Sequence, residues 1–162
     1  NLAFSPDVIE QAKAALCNGA TIVTDTNMAL SGISKPSLTK LGAKALCLMA
    51  DPDIAREAKE RGVTRAVVSM EHAARLDGPL IFAVGNAPTA LIRLHELIGK
   101  DEVKPALVIG VPVGFVNVVE AKELFIGGKT PYIIARGRKG GSNVAAAIVN
   151  ALLYQLIRRE GF

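Results

Sequence analysis

The segment Arg136-Gly137-Arg138-Lys139-Gly140-Gly141-Ser142-Asn143 sets three cations among three glycines, just before a long Ala-rich helical pattern. Glycines let backbone approach a ligand closely. A helix start offers unpaired N–H groups and a favourable dipole for an anion. Arginine can grip a carboxylate with two parallel hydrogen bonds. The segment therefore reads as a cradle for carboxylate or phosphate, or else as a Gly-rich connector with solvated cations and a Ser cap. It lacks the Gly-Lys-Ser/Thr ending of a P-loop, which argues against nucleotide triphosphate hydrolysis.

Four further segments have similar potential. Gly85-Asn86-Ala87-Pro88-Thr89 ends an apolar run and opens a helical one, with Asn86, Ala87 and Thr89 placed to meet a ligand or simply to turn the chain. In Gly110-Val111-Pro112-Val113-Gly114-Phe115, two glycines and a proline fix an unusual path. With Glu120 and Lys122 beyond it, this loop can wall a pocket at Gly114 or pack as an apolar turn. Asp25, in Thr24-Asp25-Thr26-Asn27-Met28, binds ligand, orients a neighbouring group, or is simply a turn aspartate. Arg65 precedes an apolar run and faces either a carboxylate or solvent. His72 and His95 have no metal-ligand spacing and no neighbouring nucleophile, so both read as structural or surface groups. Neither a Gly-x-Ser-x-Gly elbow nor a Gly-x-Gly-x-x-Gly fingerprint is present.

The elements that must position these segments alternate along the chain. Helical patterns run from Ser5-Pro6 to Asn18-Gly19, from Lys35 to Gly42, from Asp51 to about Gly62, in a short stretch ending at Leu76, and then from Pro88 to Ile98, Asn117 to Phe125 and Ser142 to Arg159. Strand patterns occupy 21–24, 45–49, 65–69, 80–84, 106–109 and 132–135. The strand runs are continuously apolar rather than alternating, as in strands buried on both faces. The expected fold is a single α/β domain over 1–162. It is doubly wound, with a mostly parallel central sheet and helices on both faces, a three-layer α/β/α arrangement. In such sheets ligands collect beyond the carboxyl ends of the strands, and all these segments except Arg65's follow strands directly.

Composition narrows the partners. Half of the 162 residues are hydrophobic and 21% are charged, enough for one substantial core. Mean hydropathy is +0.33, yet no uninterrupted apolar stretch is long enough to span a bilayer, so the surplus fits a buried sheet and a subunit interface. The net charge of +4 favours an anionic partner. The cations form no long run, so a small polyanion fits better than nucleic acid. Cys17 and Cys47 each sit in an apolar run and are expected to be buried free thiols of a reducing cytosol. No secretory leader is evident, and the first residue is Asn1, which points to a longer gene product or a processed start.

Taken in order, Gly85-Asn86-Ala87-Pro88-Thr89-Ala90-Leu91, Gly110-Val111-Pro112-Val113-Gly114-Phe115-Val116 and Gly137-Arg138-Lys139-Gly140-Gly141-Ser142-Asn143-Val144-Ala145 resemble the precorrin-8X methylmutases. Leu2-Ala3-Phe4-Ser5-Pro6 and Ile22-Val23-Thr24-Asp25 fit the same family in the same order. The resemblance implies a homodimer with its site near the subunit interface; the chain, with free thiols, is expected in the cytoplasm. It also implies an isomerase that moves a methyl group from C11 to C12 of a corrinoid ring. Precorrin-8X then gives hydrogenobyrinate, or cobalt-precorrin-8 gives cobyrinate. No dissociable cofactor or protein-bound metal is implied, and any cobalt would come with the substrate. Neither nucleic acid nor a membrane is an expected partner. The substrate-binding residues expected on this basis are Asp25, Arg65, Asn86, Ala87, Thr89, Gly114, Arg136, Arg138, Lys139, Gly140, Gly141, Ser142 and Asn143. The family's catalytic histidine lies in an Arg-Met-Ile-His-type motif shortly before the Phe-Ser-Pro segment, so it is expected upstream of Asn1. The competing expectations are a non-catalytic corrinoid-binding protein on the same scaffold and a generic nucleotide-binding α/β domain.

Overall fold

A computed structural model describes residues 1–159. Its elements follow in the order β1 (Leu2–Phe4), α1 (Val8–Cys17), β2 (Thr21–Thr24), α2 (Asn27–Gly32), α3 (Lys35–Leu41), β3 (Lys44–Cys47), α4 (Pro52–Arg61), α5 (Arg65–Ala73), β4 (Leu80–Val84), α6 (Pro88–Gly99), β5 (Leu107–Gly110), α7 (Val118–Glu123), β6 (Tyr132–Ala135) and α8 (Ser142–Arg159). The six strands form one sheet in the order β1-β6-β5-β4-β2-β3. All neighbours are parallel except β1, which runs antiparallel to β6. The chain reverses its direction of strand addition between β2 and β4. That gap is the topological switch point, where α/β sheets of this winding bind ligands.

Alternate residues of each strand feed two cores. Ile22, Ile81, Ala83, Ile109 and Ile133 face one layer, against Leu16 of α1, Leu38 of α3 and Val149 and Leu153 of α8. Val23, Phe82, Val84, Val108 and Ile134 face the other, against Met70 of α5, Leu91 and Leu94 of α6 and Phe125. The period-two split of continuously apolar strands is what a three-layer arrangement requires.

Several local expectations are corrected. Residues 65–69 are not a strand: Arg65 opens α5. The Thr64 hydroxyl caps that helix by accepting from the Val67 N–H at 3.2 Å, and Ala66, Met70 and Ala73 return to one buried face at helical spacing. The Val67-Val68 pair imitates a strand only in isolation. Ser5 does not cap α1. Its hydroxyl accepts from the Tyr132 N–H at 2.8 Å, extending the β1–β6 pairing, and α1 starts after Asp7. The strand β1 was too short to register as a pattern, and so was α2, which Thr26 caps by accepting from the Ala29 N–H. Both cysteines are free, but neither is buried. Cys17 is the exposed last residue of α1, and Cys47 lies half-buried on the edge strand β3.

Candidate functional site

The loops after β2, β4, β5 and β6 meet at the carboxyl end of the sheet, and two buried charges of opposite sign hold them. The first is Asp25, directly after β2 and 1% exposed. Its carboxylate accepts from the backbone N–H groups of Gly85 (2.8 Å), Asn86 (2.8 Å) and Ala87 (2.6 Å). The helix α6 has no side-chain cap of its own. Asp25, sixty positions before Gly85, instead holds the turn that leads into the helix. Burial pushes the Asp25 carboxyl above the usual carboxylate range, against the pull of its three N–H donors.

The second charge is Lys122 of α7, whose side chain is fully buried. Its ammonium donates to the carbonyls of Gly137 (2.7 Å) and Lys139 (2.9 Å). Burial holds its pKa below the usual lysine value. The sequence reading placed Lys122 in a pocket wall but missed this role. The available signal was helical spacing, because Lys122 lies four residues after buried Val118 and beside buried Ala121.

Backbone contacts then join the loops. A Cβ at Gly140 would collide with the Val111 carbonyl oxygen, and the Gly141 N–H donates to that same oxygen at 2.8 Å. A Cβ at Gly85 would come within 2.7 Å of the Ser142 Cα. Only glycine permits either approach. The Thr26 and Ser142 hydroxyls are 2.8 Å apart, linking the starts of α2 and α8.

The expected binding residues fall into three groups. Asp25, Asn86, Ala87, Thr89, Gly114, Arg138, Lys139, Gly140, Gly141, Ser142 and Asn143 gather on the converging loops. Asn86, Arg138, Lys139 and Asn143 are exposed there, whereas Asp25 faces inward onto backbone. Arg136 is on the same loop, but its guanidinium engages Glu123 with two hydrogen bonds, at 2.7 and 3.2 Å. Arg65 stands apart, at the start of α5, donating to the Met49 carbonyl at 3.4 Å beyond edge strand β3.

The surface beside these polar groups is apolar. Phe115 and Val116 are 81% and 79% exposed, and Val113, also exposed, flanks them; Met28 lies exposed after β2. The Arg138 guanidinium is 5.6 Å from the Phe115 ring centroid, a cation–π distance that places charge at the rim of the apolar surface. The Gly114 N–H reaches the Arg138 carbonyl at 3.3 Å and ties the two loops together. Such a surface suits a broad apolar ligand edged with anionic groups.

Neither histidine takes part. His72 bonds Glu57 at 2.8 Å, beside a cluster in which Glu71 pairs with Arg61 and Arg93. His95 stacks edge-on against Phe125. Among the described residues no group of His, Cys, Asp and Glu is arranged to hold a metal ion, and no helix is long and apolar enough to cross a membrane.

Comparison with known proteins bears on the family and the fold. The family profile described as precorrin-8X methylmutase matches residues 1–155. A cobalt-precorrin-8 methylmutase of Salmonella typhimurium is 48% identical over 154 residues, covering 94% of this chain and 71% of the relative. A precorrin-8X methylmutase of Pseudomonas aeruginosa is 41% identical over 155 residues, covering 94% of this chain and 74% of the relative. The crystal structure of a precorrin-8x methyl mutase from Thermus thermophilus superposes with a TM-score of 0.86 at 36% identity, covering 99% of this chain and 78% of that one. In sequence and in fold, the chain belongs to the precorrin-8X methylmutase family.

Proposed function

We propose that this chain binds a corrinoid at the carboxyl end of its sheet and promotes migration of a methyl group from C11 to C12 of the ring. The observation that carries this reading is the pairing, at one end of the sheet, of an exposed apolar surface at Val113, Phe115 and Val116 with a polar rim of Arg138, Lys139 and Asn86. A corrinoid has the same layout, a broad apolar macrocycle fringed by acetate and propionate carboxylates. Arg138 and Lys139 would take carboxylates, and the loop around Gly114 would lie against the ring. Several modest charge-assisted hydrogen bonds at separate points fix one orientation of a rigid ligand.

The shift transfers the methyl group with its bonding pair within one molecule, so no atoms enter or leave and no net redox change occurs. The protein's task is to hold the ring and to place one proton. Protonating a ring nitrogen makes the macrocycle electron-poor and eases the migration. The resemblance puts the family's acid ahead of the Phe4-Ser5-Pro6 segment. The antiparallel sense of β1 supports that reading: Asn1 lies beside Arg136, its carbonyl accepting from the Arg136 N–H at 3.1 Å. Residues preceding Asn1 would thus emerge next to the Gly-rich loop. The whole of 1–162 serves as one domain. A cytoplasmic homodimer fits the exposed apolar surface, part of which a second subunit would cover. The reading assigns no cofactor, and cobalt would enter only within the substrate.

The test is a visible-absorbance titration with hydrogenobyrinic acid, followed by incubation with precorrin-8X. A saturable spectral change at micromolar ligand, and conversion of precorrin-8X to the hydrogenobyrinate spectrum, are expected. Absence of both from the natural full-length protein overturns the reading.

A further inference from the structure

Lys122 is fully buried, and among the described residues no carboxylate pairs with it; its partners are two backbone carbonyls. A buried ammonium without a counter-ion is costly. The placement therefore calls for a reason beyond packing. In a trans peptide the N–H points away from the C=O. With the Gly137 and Lys139 carbonyls both turned onto the Lys122 ammonium, the N–H groups of the next residues, Arg138 and Gly140, must turn away from it. Among the described residues neither N–H has a protein acceptor. The residues flanking Lys122 do not compete for it, since Glu123 engages Arg136 and Glu120 makes no bond with it.

We infer that Lys122 is a positioning residue that fixes two peptide planes of the 136–140 loop, so that the Arg138 and Gly140 N–H groups face away from it and are left free to donate to carboxylates of the ligand. Two backbone donors without a protein acceptor give the loop separate points of contact for anionic groups, and the Arg138 side chain adds charge beside them. The inference rests on the corrinoid reading above for the identity of the anion, but its geometry is that of the loop itself.

The test has a ligand side and a protein side. Backbone amide NMR of the unmodified protein, titrated with hydrogenobyrinic acid, is expected to move the Arg138 and Gly140 amide protons downfield in step with the absorbance change. Lys122→Met, checked for native fold by circular dichroism, is expected to bind at least about tenfold more weakly and to lose those two shifts. Its penalty should shrink when the contacted carboxylates of the ligand are amidated, which general loosening of the fold would not produce. Saturable binding with the Arg138 and Gly140 amides unmoved overturns the inference and leaves the corrinoid reading intact. So does a folded Lys122→Met that binds as tightly as the parent. No corrinoid binding by the unmodified protein overturns the reading, and the inference with it.

Discussion

The two Gly-rich loops that look alike in sequence are held by opposite charges, and this gives them different roles. Around 85–87, Asp25 accepts from three successive N–H groups, so the donors of the turn leading into α6 already point inward. Around 137–139, Lys122 takes the carbonyls and leaves the donors outward. A Gly-rich strand-to-helix turn is thus an anion site only when its carbonyls, and not its N–H groups, are satisfied from within. The first loop offers side chains such as Asn86, and the second offers backbone.

The largest expected effect comes from breaking the first arrangement. Asp25→Ala removes three charge-assisted hydrogen bonds and should cost about 3–4 kcal/mol in urea unfolding. Because burial raises the Asp25 pKa, this group's contribution is fully present below its ordinary value of 3.8 and declines as pH rises through the raised folded value. Asp25→Asn should abolish that decline in stability measured against pH. Lys122→Met should cost less, about 1–3 kcal/mol for two carbonyls left partly unpaired, while weakening ligand binding more than Asp25→Asn does. If Asp25→Asn instead abolishes binding with its fold intact, the contrast between the loops is wrong.

The exposed member sharpens the same comparison. Arg138→Ala should leave stability within about 0.5 kcal/mol and weaken corrinoid binding by about 1–3 kcal/mol, read by absorbance titration. Arg136→Ala should weaken binding much less, because its guanidinium is engaged with Glu123. Equal losses from the two would show that the Glu123 pairing opens when ligand arrives. The smallest effect on binding is expected at Glu71, a buried charge outside the loops. Arg61 and then Arg93 hold its carboxyl well below the usual range, at about 2. The stability it contributes is present above its ordinary value of 4.5 and lost as pH falls through about 2. Glu71→Gln should flatten that acid limb and leave the ligand titration unchanged.

Strand–helix alternation and the Gly-rich turns were legible in the sequence because each is a local pattern. The parallel sheet followed from continuously apolar runs such as Leu80–Val84, the pattern of strands covered on both faces. What escaped reading depends on distant partners. Asp25 and Gly85 carry no mark of each other, so ligand contact and support of a neighbouring turn stood as equal readings of that carboxylate. Arg136 could not be told from Arg138, since only the fold brings Glu123 alongside one of them. The Thr64 cap was present in the sequence, but the β-branched pair after it outweighed a single residue. Two elements, β1 and α2, are shorter than any periodicity can register.

The antiparallel first strand has a consequence for how the molecule is made. Ser5 bonds Tyr132, 127 positions later, so the opening residues leave the ribosome long before their partner exists. Contacts between such distant segments pay their loop-closure entropy before any reward and form slowly. The five parallel strands pair without β1, whose only neighbour in the sheet is β6. Because β6 leads directly into the Gly-rich loop, the binding surface cannot form before β6 has been made, and a truncated chain ending before β6 would leave the first strand without a partner.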